Sequence, residues 1–183
     1  MACRLLAVPV FLLCLVLSGA SAETVPEPDG YRMDDYRAAV PATVRGGRAI
    51  ATQEAQALWQ RNSAVFIDML PRAEKPANLP AGTLWRDKPR MSIPGSIWLA
   101  NTGYGALSPA MESDFRRSLE EISGGDKAKP LVFFCLADCW MSWNGARRAI
   151  SLGYSQVLWY AEGTDGWSGA GLPLEKVEPF AKR

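Results

Sequence analysis

Short apolar runs alternate along the chain with stretches whose apolar positions recur at helical spacing, which predicts an α/β domain with a mostly parallel central sheet flanked by helices. Thr52 is placed to cap a helix in which Ala55, Leu58 and Trp59 share a face. Ala64 to Met69 (AVFIDM) then reads as a short buried strand, and Ser96 to Ala100 as a second. The connection between them, Leu70 to Pro94, holds several prolines; it is expected to be ordered, because Leu84 and Trp85 need burial. Met111 to Ile122 carries the helical stripe Phe115, Leu119 and Ile122 and stops at Gly124 and Gly125. Leu131 to Phe134 (LVFF) is too short for a helix and reads as a central strand with Cys135 at its carboxyl end. A helix from Trp143 to Leu152, closed by Gly153, a strand from Val157 to Tyr160 (VLWY) and the turn-rich GTDGWSGAGLP complete the pattern, without internal repeats.

The two ends of the chain break this pattern. Residues 1–22 have a basic Arg4, an apolar run from Leu5 to about Leu17, and small residues at Ala20 and Ala22, the layout of a secretory signal peptide cut after Ala22. The run is shorter than the roughly 20 residues a membrane-spanning helix needs, so a soluble periplasmic product is expected, with no membrane insertion after cleavage. From Glu23 to Gly47 proline, glycine and charge dominate, predicting an extended arm that Tyr31 and Tyr36 pin to the domain. The domain proper is expected over residues 48–176, with a short tail over 177–183.

Composition narrows the chemistry. Cleavage removes Arg4 and no acidic residue, leaving 19 basic against 19 acidic side chains, a balance that gives no case for nucleic acid or an anionic membrane surface. The chain has no histidine, which excludes Ser-His-Asp and Cys-His catalysis, histidine-ligated metals and C-x-x-C-H haem attachment. Cys3 and Cys14 depart with the leader. Cys135 and Cys139 remain, too few for a metal site and close enough to suggest a disulfide in an oxidising compartment.

A cysteine at the end of a central parallel strand, followed by a tight loop and a helix, lies where open α/β sheets hold ligands. Amides of the loop and the helix amino terminus would favour an anionic sulfur there, lowering the pKa of the Cys135 thiol and making it the nucleophile. Cys139 would then resolve the adduct by forming an intramolecular disulfide. The alternative is a structural disulfide that only rigidifies the loop.

Six pieces in order, the helix start from Ile50 to Ala55, VFID (Val65 to Asp68), IPGS (Ile93 to Ser96), VFFC, LGY (Leu152 to Tyr154) and GTDGW followed by GLP, make residues 46–173 resemble the rhodanese superfamily. The resemblance implies a parallel-sheet domain in which Cys135 holds the position that carries sulfane sulfur as a persulfide. GYRMDDYR, LWRDKPRMSIPGSIWLANTGYGAL and CLADCWMSWNGARRA further resemble the exported family associated with catabolism dependent on pyrroloquinoline quinone (PQQ) and named for a CXXCW motif. That likeness implies a redox or cofactor-related role beside a quinoprotein dehydrogenase or its cytochrome in alcohol oxidation. Three residues rather than two separate the cysteines here, so the literal motif is not met.

The loop also lacks the C-x-x-G-x-R pattern suited to thiosulfate. Asp138 would repel a dianionic donor, and only Arg147 and Arg148 are near enough in sequence to compensate, so a protein or low-molecular-weight persulfide is the better donor. Met141 stands where a rhodanese-like phosphatase needs arginine. The candidate site therefore comprises Cys135 and Cys139 as catalytic residues. Leu136, Ala137, Asp138, Trp140, Met141, Ser142 and Arg147 form the loop and substrate surface, with Asp68 and Arg72 in support. For Trp140 and Trp143 core packing competes with a role in a substrate groove; for Asp68 and Arg72 a structural ion pair does. Trp85, Trp98 and Trp159 are expected in the core. No metal and no permanent cofactor is expected, a persulfide on Cys135 being the one covalent adduct envisaged. The competing reading is a non-catalytic accessory module that docks on a quinoprotein system.

Overall fold

The computed structural model describes residues 25–86 and 88–181; the expected leader, residues 1–22, lies outside them. In chain order the elements are β1 (Arg48–Ala49), α1 (Thr52–Gln60), β2 (Val65–Asp68), β3 (Arg90–Ser92), β4 (Ile97–Trp98), α2 (Pro109–Ser123), β5 (Leu131–Phe134), α3 (Trp140–Ser151), β6 (Val157–Tyr160), α4 (Gly163–Gly169) and β7 (Glu175–Val177). A five-stranded sheet runs β1-β6-β5-β2-β4, every pair parallel. β3 and β7 form a separate antiparallel ribbon.

Strand periodicity sorts the core into two layers. Ile67, Leu131, Phe133, Val157 and Trp159 face one side, where they meet Phe115, Leu119 and Ile122 of α2 and Trp143, Ala146 and Ala149 of α3. Their neighbours Phe66, Val132, Phe134, Leu158 and Tyr160 face the other, against Ala55 of α1 and Trp167 of α4. The central strands are apolar on both faces because both faces are covered, as parallel sheets require. Among the described residues no helix is long and apolar enough to cross a membrane.

Several elements differ from expectation. Thr52 begins α1 rather than capping it, and its hydroxyl lies 2.7 Å from the Tyr160 hydroxyl and donates to Glu162 Oε2 at 2.5 Å. The strand expected over 96–100 contracts to Ile97–Trp98. The segment read as turns, GTDGWSG, is helical. Its Trp167 is buried and donates Nε1 to the Pro173 carbonyl, so tertiary packing overrides a glycine-rich composition. Leu84, expected to be buried, is 84 % exposed, and Trp85 is only half-buried, so the connection after β2 lies on the surface. Trp98 and Trp159 are core residues.

Burial pushes the Tyr160 phenol up to about 12, against a modest opposing effect of the Thr52 hydrogen bond. An unfolded tyrosine ionises near 10, so this contribution is whole below about pH 10 and is lost as pH rises towards 12, a span worth about 2 kcal/mol. Urea unfolding between pH 9 and 12 should show this loss, and Tyr160→Phe should flatten it.

Candidate functional site

β5 ends at Phe134 and delivers Cys135 to the carboxyl edge of the sheet, between the ends of β2 and β6. The chain turns back within Leu136, Ala137 and Asp138, the last with φ at 49°, a left-handed conformation that a short polar side chain tolerates. α3 begins at Trp140, three residues before the position expected from sequence, so Cys139 is its N-cap residue. The two cysteines form a disulfide with Cα atoms 6.1 Å apart.

The neighbourhood of the sulfurs is more closed than expected. Cys135 has no exposed surface and Cys139 has 2 %. The loop amides predicted to surround an anionic sulfur are partly committed within the chain. The Ala137 N–H donates to Asp165 Oδ2 at 3.0 Å, and the first N–H of α3, from Trp140, donates to the Tyr36 carbonyl at 3.0 Å. The Cys135 carbonyl is itself held, accepting from the Thr164 N–H at 3.0 Å, from Thr164 Oγ1 at 3.3 Å and from Arg90 Nη2 at 3.4 Å. Gly163 makes this approach feasible: a Cβ there would stand 2.6 Å from the Cys135 carbonyl oxygen, and its φ is +53°.

Asp68, at the end of β2, is wholly buried and pairs with Arg90, not with Arg72. Its Oδ2 accepts from Arg90 Nε at 2.6 Å and from Ser92 Oγ at 2.5 Å, and its Oδ1 from the Leu70 N–H at 2.9 Å. Arg72 is exposed; its backbone N–H donates to Asn101 Oδ1 at 2.8 Å. Arg90 links this carboxylate to the cysteine loop and was not singled out from sequence, since nothing in the spacing ties it to a residue 22 positions earlier.

The helix residues assigned to a substrate surface mostly serve packing. Trp140 and Trp143 stack edge to face at 5.4 Å and donate their indole N–H groups to the carbonyls of Ala39 and Thr43. Met141 is buried against Gly103. Ser142 donates to the Cys139 carbonyl at 3.0 Å and accepts from Trp159 Nε1 at 3.0 Å. Neither arginine compensates the exposed Asp138. Arg147 reaches away from the loop to the Arg45 carbonyl at 2.6 Å, and Arg148 is buried on the carbonyls of Thr102, Tyr104 and Gly105. Burial lowers the pKa of Arg148, with Tyr31 and Glu112 pulling the other way.

The partners of α3 are supplied by the segment before β1. Asn144 grips the backbone of Arg32, accepting its N–H and donating to its carbonyl, both at 2.9 Å, and donates to the Gly103 carbonyl at 3.0 Å. The Arg32 guanidinium lies 5.2 Å from the Trp140 ring, and Tyr31 stacks 4.3 Å from the guanidinium of Arg148. Tyr36, Ala38 and Val40 pack on the core layer that contains both cysteines. On the other side of the loop Leu136, Thr164 and Asp165 border an open cavity of about 450 Å³ walled by Arg72, Lys88 and Met91. Among the described residues no group of histidine, cysteine, aspartate or glutamate side chains is arranged to hold a metal ion.

Comparison with known proteins gives this arrangement a context. The family model for the rhodanese-like domain matches residues 51–170. Among solved structures, a thiosulfate sulfurtransferase from Pseudomonas aeruginosa superposes with a TM-score of 0.51 and 22 % identity, over 74 % of this chain and 21 % of that one. This chain thus spans about a fifth of that protein. The homodimeric polysulfide-sulfur transferase of Wolinella succinogenes (TM-score 0.44, 18 % identity, 73 % of this chain and 78 % of that one) and a human single-domain sulfurtransferase (TM-score 0.39, 19 % identity, 66 % and 95 %) are also similar. No curated protein matches the chain.

Proposed function

The chain belongs to the rhodanese-like domain family, and from that premise we propose that it is a two-thiol sulfur protein working through Cys135 and Cys139. The observation that carries the reading is the disulfide itself: at the strand end where a rhodanese-like cysteine can hold a transient persulfide, this sulfur is bonded to a second cysteine in the same loop. In the reduced protein the Cys135 thiolate attacks the outer sulfur of a persulfide R–S–SH, releasing the thiol R–SH and leaving a persulfide on Cys135. The Cys139 thiolate then attacks Cys135 Sγ and expels the outer sulfur as hydrogen sulfide, and the disulfide closes. One persulfide has been reduced and two thiols oxidised; an external dithiol restores the pair. Thiosulfate is a poor donor in this scheme, since Asp138 is exposed on the loop while Arg147 and Arg148 are committed elsewhere.

The proposal includes export to the periplasm, supported by the signal-like residues 1–22, and a place beside PQQ-dependent alcohol oxidation, supported by sequence resemblance alone. The test is to reduce the mature protein, add a persulfide donor and map adducts by mass spectrometry. Cys139→Ser should trap one extra sulfur on residue 135, and the unaltered protein should return to the disulfide with release of sulfide. Absence of both results sinks the reading.

The burial of both sulfurs favours a second reading, a docking module whose disulfide is a clamp. Closing so small a ring contributes only about 2 kcal/mol by chain entropy. A reduction potential below about −300 mV would mark the clamp, and growth on alcohol sustained by the double Cys→Ser variant would establish it.

A further inference from the structure

Successive residues of α4 hold the cysteine loop, but to different effect. Gly163 lets the two backbones approach, and Thr164 donates its N–H and its hydroxyl to the Cys135 carbonyl, so both restrain the strand end. Asp165 instead takes a donor away, its Oδ2 accepting the Ala137 N–H at 3.0 Å. Ala137 lies two residues after Cys135 and next to Asp138, whose φ of 49° turns the backbone back, and amides in such a turn converge on anions. The anion that receives this amide is a carboxylate from another element, so the N–H is committed before any charge forms on sulfur. Thr164 is buried, whereas Asp165 is exposed and borders the cavity of about 450 Å³ beside Leu136, where its carboxylate has room to turn without unpacking the core.

We propose that Asp165 is a positioning residue that withholds the Ala137 N–H from the Cys135 sulfur while the disulfide stands and yields it, by rotating into the cavity, when that sulfur carries negative charge. An amide gains more from a charged sulfur than from a neutral bridge, so the exchange follows the redox state of the pair. This role rests on the sulfur chemistry proposed above. Other charged groups surround the same sulfur: Asp138 on the loop, Arg90 of β3 with its counter-ion Asp68 of β2, and Arg72 and Lys88 across the cavity. The segment over α3 adds Arg32 and the Tyr36 phenol, which donates to the Met33 carbonyl. All of these are common to the variants compared below, so a difference between variants reads the residue changed.

The experiment titrates the Cys135 thiolate by its ultraviolet absorbance in the mature Cys139→Ser chain, where no second thiol interferes. Asp165→Ala should move the titration about one pH unit to the acid side, a tenfold gain in thiolate at a given pH below the midpoint, with melting unchanged. Asp165→Asn keeps an acceptor for the Ala137 N–H and should move it only slightly, since a charge at an exposed position acts weakly through solvent. Thr164→Val removes the hydroxyl from the Cys135 carbonyl, loosening the loop without freeing an amide, and should leave the titration in place. No shift in Asp165→Ala, or a shift to the basic side, overturns the proposal. Equal shifts in the alanine and asparagine variants overturn it in favour of charge alone, and a like shift in Thr164→Val overturns it in favour of loosening. The titration uses no persulfide, so the role of Asp165 and the sulfur transfer proposed for the pair fail separately.

Discussion

Replacing Asp68 with alanine is expected to destabilise the protein by about 3 to 5 kcal/mol, because it leaves the guanidinium of Arg90 buried without its counter-charge. The Ser92 hydroxyl and the Leu70 N–H lose their acceptor in the same step. For a domain of this size the melting temperature should fall by roughly 10 °C or more. Asp68→Ala combined with Arg90→Met should recover much of the loss, since a buried ion pair replaced by apolar side chains of similar volume is often close to neutral. Urea unfolding of the two single variants and the double variant checks this. Additive losses in the double variant would show that the two charges are not coupled across their 2.6 Å contact.

The second large effect concerns the segment over α3. A mature chain lacking residues 25–40 loses the acceptors of the Trp140 backbone and indole N–H groups and both partners that Arg32 offers Asn144. Each such bond contributes about 1 kcal/mol, so a loss of about 4 kcal/mol is expected, beyond that from uncovering Trp140. Because Tyr36 lies against the helix start next to Cys139, the truncated protein should also be reduced by dithiothreitol about tenfold faster, through easier opening over the sulfurs. Asn144→Ala is the milder control and should cost about 2 kcal/mol. Unchanged reduction kinetics after truncation would mean that thiols approach from the Leu136 side, over the open cavity there.

The parts of the fold legible in the sequence are those fixed by local periodicity. VFID, LVFF and VLWY announce buried strands because both faces of the sheet are covered, and the stripe of Phe115, Leu119 and Ile122 announces α2 and its stop at Gly124, which is left-handed; the helix starts two residues before the expected Met111, at Pro109, on a Ser108 N-cap that the stripe does not reveal. The start of α3 was not legible, since the carbonyl that takes the Trp140 N–H comes from Tyr36, about a hundred residues away. The ribbon of β3 and β7 joins two three-residue strands far apart in sequence, too short for an alternating pattern to register.

The site was legible as a pair of cysteines at a strand end but not as a closed one. Spacing cannot reveal that Asp165 and Tyr36 would take loop and helix amides, nor that Arg147 and Arg148 would turn to the carbonyls of Arg45 and of residues 102–105. The Asp68 and Arg90 pair is long-range for the same reason.

The early start of α3 also bears on electron affinity. While oxidised, the sulfur of residue 139 is neutral and makes no capping bond at the head of the helix. Once reduced, a negative charge on that sulfur lies at the positive end of the helix macrodipole. Whatever favours that thiolate favours the dithiol form over the bridge, making the couple more oxidising, and it arms residue 139 as the group that displaces sulfide from residue 135.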